Sequence, residues 1–112
     1  SVQAKTDAVY FDVGLGNGNI TPVNEPPEYV RMWKFNTQRR ADALLVRGNE
    51  LWLTEIRFAA NPNAIGRLLA YRYLWEKDPV LPGKLQLVLV TNIHDEVTGE
   101  LAEKSGIQYE VT

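Results

Sequence analysis

Two β-rich runs, residues 41–46 and 51–58, flank the tetrad Arg47-Gly48-Asn49-Glu50. Gly-Asn as a two-residue loop between such runs signals a hairpin closed by a type I′ or II′ turn. A hairpin fixes its own register. With Gly48 and Asn49 at the tip, Arg47 opposes Glu50, Val46 opposes Leu51, Leu44 opposes Leu53 and Asp42 opposes Glu55. Alternation puts Asp42, Glu55 and Arg57 on one face, with Leu44, Val46, Leu51 and Leu53 nearer the turn. Arg40 falls opposite Arg57 at the open end. The other face carries Ala43, Leu45, Trp52, Thr54, Ile56 and Phe58. Both faces are largely apolar, so the hairpin is expected to be covered on both sides. Two carboxylates directly opposite each other repel, and partial burial adds a desolvation cost. A cation must compensate. One candidate is a divalent metal, since Mg²⁺ takes one or two carboxylates together with waters and substrate phosphate. The other is the guanidinium of Arg57 or Arg40.

The rest of the 112-residue chain supplies the elements that such a hairpin needs for a core. Residues 1–28 read as an irregular N-terminal segment with a candidate strand at 8–13. The stretch Gly14-Leu15-Gly16-Asn17-Gly18-Asn19 follows, then Pro22, Pro26 and Pro27, which is turn chemistry. Its G-x-G-x-G spacing is not that of a phosphate-cradling loop, and no helix follows it. Residues 29–35 alternate as a strand. Asn61-Pro62 is a helix start, with Asn as cap and Pro in the first position. That helix is expected to run to Lys77, where Asp78-Pro79 stops it. Residues 85–90 make a buried strand, 91–94 a loop and 95–105 an acidic helix closed by Gly106. Residues 107–111 make a last half-buried strand. From Tyr29 the order is β-β-β-α-β-α-β, and residues 29–112 read as one α/β domain. The long helix permits a right-handed crossover, so the strand after it should run parallel to the second hairpin strand. The expectation is a small mixed β-sheet flanked by helices.

Composition narrows the chemistry. The absence of cysteine excludes disulfides, thiolate catalysis and cysteine-ligated zinc, and makes an intracellular setting the default. No run of about 18 apolar residues is present, so no membrane-spanning helix is expected. The net charge of −2 argues against a nucleic-acid partner, whereas its distribution fits either an electrostatic footprint for one or arginines scattered and solvated over several faces. Residues 31–72 carry +5, between a start at −3 and an end at −4. Seven of the eight cations in that middle stretch are arginine, whose planar fork matches phosphate.

The run Arg40-Ala41-Asp42-Ala43-Leu44-Leu45-Val46, followed after the turn by Thr54-Glu55-Ile56-Arg57, resembles the PD-(D/E)XK nuclease superfamily. The helix Ala64-Ile65-Gly66-Arg67-Leu68-Leu69-Ala70-Tyr71-Arg72 is similar to the helix that follows that motif. The resemblance covers residues 39–92. It implies a restriction-endonuclease-like fold and a metal-dependent nuclease acting on DNA. Asp42, Glu55 and the Ile56 carbonyl would hold Mg²⁺ or Mn²⁺, and the residue at position 57 would orient the attacking water. A homodimer is the assembly to test, and the setting would be cytoplasmic, nucleoid-associated or viral. Departures open a second reading. Arg57 replaces the motif lysine and stays protonated, so it clamps phosphate or stabilises charge but is no general base. Arg67 stands where glutamine is frequent, and Ala41 stands where proline precedes the Asp. Of the upstream acids, Asp12 and Glu28 are the candidates for an additional ligand. A catalytically inactive member, acting in nucleic-acid binding or protein assembly, fits these departures. In both readings Asp42, Glu55 and Arg57 form the site, and Arg40 and Arg67 face the nucleic acid.

Other residues have plainer roles. Arg67, Tyr71 and Leu74 fall on one helical stripe, where Tyr71 is expected to pack. Trp33, Trp52 and Trp75 are expected to pack in the core rather than stack on bases. His94 is expected in a loop or cap, and Glu96, Glu100 and Glu103 on a solvated face.

Overall fold

The computed structural model describes residues 6–16 and 39–112. The strand expected at 29–35, together with Glu28 and Trp33, lies outside the described residues. Five strands and two helices follow in the order β1 (Ala8–Leu15), β2 (Arg39–Arg47), β3 (Glu50–Ala59), α1 (Pro62–Lys77), β4 (Lys84–Ile93), α2 (Glu96–Lys104) and β5 (Gln108–Val111). The sheet order is β1-β2-β3-β4-β5. β1 and β3 pair antiparallel with β2, while β4 pairs parallel with β3 and β5 parallel with β4. This is the expected mixed α/β sheet. Its first described strand is β1, which precedes residue 29 and is a full member of the sheet.

The hairpin forms in the expected register, with Arg47↔Glu50, Val46↔Leu51 and Leu44↔Leu53 as partners. Gly48 has φ 60 and Asn49 has no positive φ, which selects the type II′ turn over type I′. Helix α1 starts where Asn61 caps it, its side chain accepting from the Asn63 N–H at 2.9 Å, with Pro62 in the first turn. Asp95 caps α2 through the Thr98 N–H and hydroxyl. Gly106, with φ 72, turns the chain out of α2. The loop expected at 91–94 begins later, because β4 continues to Ile93. Backbone pairs Thr91–Arg57, Ile93–Ala59 and Thr91–Val111 on its two sides extend the strand beyond its apolar run.

Both helices pack into one core. Leu44, Leu51, Leu53, Leu87 and Leu89 from the sheet meet Ile65, Leu68, Tyr71 and Trp75 of α1, and Ala102 of α2 joins them. The hairpin's opposite face differs from the expectation of burial on both sides. Ala43 and Thr54 are buried there, but Phe11, Ile56 and Phe58 are exposed and no described helix lies over them. A shallow concavity of about 710 Å³ runs across this face.

β1 changes faces midway. Val9 and Phe11 line the open concavity, whereas Val13 and Leu15 are buried in the core under the helices. Strict alternation would put all four on one side. Asp12, at φ 53, breaks the alternation. A positive φ is unfavourable for a non-glycine residue and is least costly for Asn and Asp. Leu53→Ala, which empties a fully buried core position, is expected to cost about 2–5 kcal/mol in chemical denaturation. Phe58→Ala, on the open face, is expected to stay within about 0.5 kcal/mol.

Candidate functional site

The β2–β3 ladder stops at Ala43↔Thr54, one residue short of Asp42. At that point the Asp42 side chain takes over the pairing. Its Oδ2 accepts from the Ile56 N–H at 2.8 Å, so a carboxylate replaces a backbone carbonyl as partner. The strands separate beyond it. Asp42 and Glu55 still lie close enough to act on each other: the like charge of Asp42, and a hydrogen bond that needs a proton on one of the two acids, both raise the Glu55 carboxyl. The opposition expected from register holds between side chains, although the backbone ladder does not reach it.

Glu55 is 1% exposed in the central strand. Its Oε2 accepts from Arg57 Nη2 at 2.5 Å and from Arg67 Nε at 2.9 Å. Arg57 reaches it from the same strand and Arg67 from the second turn of α1. Arg57 also turns Nη1 toward the Ile56 carbonyl, at 3.4 Å. One guanidinium therefore spans the Glu55 carboxylate and the Ile56 carbonyl, two of the three oxygens expected to bind metal. Arg67 donates from Nη2 to the Tyr71 hydroxyl at 3.1 Å, and that hydroxyl donates to the Arg40 carbonyl at 2.9 Å. Burial and the nearby Glu55 charge raise the Tyr71 phenol above its ordinary value, which keeps it a donor.

Sequence reasoning assigned Tyr71 to packing alone. It does pack, at 1% exposure, but its hydroxyl also ties α1 to β2 through Arg40. Its spacing from Arg67, i to i+4 on one helix face, is the signal that was present. Asp12 also lies nearer the acidic pair than its place in the sequence suggests. The flanking pairs Phe11↔Ala43 and Val13↔Ala41 put it at the register position opposite Asp42. Its carboxylate is largely exposed and lies 3.6 Å from Arg40 Nη1, which also donates to the Asp12 carbonyl at 3.1 Å. Arg40 thus turns toward β1 rather than standing against Arg57.

The remaining candidates lie elsewhere. Trp75 is in the core, and Trp52 lines the open face beneath Arg47, whose guanidinium is 4.0 Å from the ring centre. His94 follows β4, with Nδ1 3.0 Å from the Tyr109 hydroxyl.

Electrostatically the site is short of positive charge. Burial pushes the Glu55 carboxyl up, the hydrogen bond and charge of Asp42 push it further, and Arg57 and Arg67 pull it back, leaving it at about 7. Two guanidiniums do not fully offset desolvation and a neighbouring acid. Among the described residues no group of three or more His, Cys, Asp or Glu is placed to hold a metal ion. The donors present are two carboxylates and a carbonyl, all hard oxygens, which is the kind and number that Mg²⁺ uses when waters complete its shell. They fit such an ion chemically, on condition that Arg57 leaves two of them.

No protein-family model matches the chain, and no curated protein matches it. A solved structure is similar: the crystal structure of the protein of unknown function AF1548, at TM-score 0.58 and 18% identity. The match covers 91% of this chain and 47% of that one, so the chain spans about half the length of its structural relative. At this identity the likeness concerns the fold. No described helix is long and apolar enough to cross a membrane.

The site has two consequences that can be measured. In metal-free buffer the raised Glu55 carboxyl contributes stability that is complete below pH 4.5 and is lost as the pH climbs through about 7. For a shift of this size the loss is on the order of 3 kcal/mol. Glu55→Gln is expected to flatten that part of the denaturation profile and to exceed the wild type in stability above pH 7. Tyr71→Phe deletes one hydroxyl with two partners, and is expected to cost about 1–2 kcal/mol in the same assay.

Proposed function

We propose that this domain is a PD-(D/E)XK-like module that acts on DNA as a metal-dependent nuclease. The observation supporting this reading is the meeting of Asp42, Glu55 and the Ile56 carbonyl where the β2–β3 ladder ends, with Arg57 and Arg67 beside them. Asp42, Glu55 and the Ile56 carbonyl would hold Mg²⁺ or Mn²⁺. The ion would supply an activated water at neutral pH and Lewis-acid stabilisation of the phosphate. The protein's own contribution is positional. Asp42 is fixed by the Ile56 amide, and Glu55 by Arg67 on a rigid helix. Arg57, always protonated, holds a phosphate oxygen and stabilises developing charge, but accepts no proton. Arg40 lies at the same end of the sheet, where the backbone of a DNA strand would pass. Such an enzyme would work where DNA is, in the cytoplasm or nucleoid or in a viral setting, and as a homodimer if it cuts both strands.

A second reading has one specific observation behind it. The Arg57 guanidinium already spans the Glu55 carboxylate and the Ile56 carbonyl. If it never leaves, the domain binds nucleic acid or a protein partner without cleaving. Incubation with single-stranded, duplex and branched DNA in Mg²⁺ or Mn²⁺ separates the two. The nuclease reading expects cleavage that Asp42→Ala and Glu55→Ala abolish; cleavage indifferent to both variants, or none, removes it. The binding reading expects salt-sensitive affinity without cleavage. Loss of Arg57 or Arg67 should then lower that affinity and reduce the salt slope by about one.

A further inference from the structure

We propose that Arg57 is a built-in competitor for the divalent-cation site, so that metal and guanidinium occupy the Glu55–Ile56 oxygens in alternation. The proposal rests on the metal reading above and concerns what controls that site. Its basis is geometric. Arg57 Nη2 is on Glu55 Oε2 and Nη1 faces the Ile56 carbonyl, so one planar fork covers two of the three expected ligands. An ion bound to those oxygens and a guanidinium bound to them exclude each other.

The exposures say which group moves. The Arg57 side chain is 31% exposed at the open end of the sheet, whereas the Glu55 side chain is 1% exposed. Arg57 has a path into solvent and Glu55 has none. Arg67 holds the same Oε2 but makes its other contact with Tyr71, away from the Ile56 carbonyl. Displacing Arg57 therefore frees the Ile56 carbonyl and leaves Oε2 with Arg67 alone, while displacing Arg67 leaves both oxygens covered by Arg57. A displaced Arg57 remains within a side chain's length of the ion and becomes available to a phosphate oxygen. Metal entry and arming of the phosphate clamp are then one event, and metal alone binds the wild-type protein weakly.

Mn²⁺ titration by calorimetry, without DNA, tests this on the intact chain. Arg57→Gln is expected to bind Mn²⁺ at least about tenfold more tightly than the wild type. Arg57→Lys keeps the charge but loses the two-pronged fork, and is also expected to gain affinity. Arg67→Gln removes equal charge and is expected to gain much less. Adding Asp42→Ala to Arg57→Gln should abolish binding, and thermal melts report whether each variant is folded. Unchanged affinity in both Arg57 variants, with binding still dependent on Asp42, overturns the competition and leaves the metal reading standing. Equal gains in Arg57→Gln and Arg67→Gln, with none in Arg57→Lys, assign the effect to net charge and also overturn it. No Mn²⁺ binding by any folded variant removes the metal reading and the competition together.

Discussion

A carboxylate buried in the central strand of a sheet is costly, and much of this domain's architecture answers that cost. Glu55 lies in β3 with strands on both sides and α1 above it, and 1% of it reaches solvent. An isolated charge there would be untenable, and a half-paired one would be worse than an apolar residue of the same size. The answer is assembled from different parts of the chain. Arg57 comes from the same strand, Arg67 from the helix, and Tyr71 locks Arg67 while holding the Arg40 carbonyl of β2. The same contacts that neutralise Glu55 therefore set how α1 sits on the hairpin. Leu68 and Trp75 on the buried face of α1 supply the apolar area, but a greasy face alone leaves rotation and slide undetermined. The polar chain from Glu55 to Arg40 removes that freedom.

The second constraint is the early end of the hairpin ladder. Beyond Ala43↔Thr54 the Asp42 carboxylate serves as the acceptor for the Ile56 amide. This satisfies a donor that the separating strands would otherwise leave unpaired. The Ile56 carbonyl, with no ladder partner in β2, takes the contact from Arg57 Nη1 instead. On the other side of β2, Asp12 adopts φ 53 and switches β1 from the open face to the core. Both irregularities fall at the same register level, next to the acidic pair. Local departures from regular structure tend to gather where a sheet presents polar groups to something outside itself.

Much of this was legible in the chain. The Gly48-Asn49 turn set the register, the register brought Asp42 to Glu55, and Asn61-Pro62 with Asp78-Pro79 bounded α1. What failed to read was tertiary. Alternation along 51–58 gave two apolar faces and so suggested two covered faces. Only the packing of both helices on one side reveals Ile56 and Phe58 as exposed. Gly14 and Leu15, expected in a turn, belong to β1, because their pairing with β2 overrides glycine's preference for loops. Tyr71 looked like an ordinary core aromatic, since its role depends on an Arg40 carbonyl 31 residues away. No local pattern encodes a partner at that distance.

The choice between lysine and arginine at position 57 carries the remaining argument. A lysine there would present a compact ammonium able to neutralise Glu55 from one side. It could also surrender a proton if burial lowered its pKa. Arginine does neither. Its fork reaches the Glu55 carboxylate and the Ile56 carbonyl together. Arginine at this position suits occupying two oxygen acceptors at once, whereas a lysine would suit proton chemistry. With Arg67 already on Oε2, two guanidiniums hold Glu55, while burial and Asp42 still raise its carboxyl. On the metal reading, the partly exposed Arg57 and a divalent ion would compete for these oxygens.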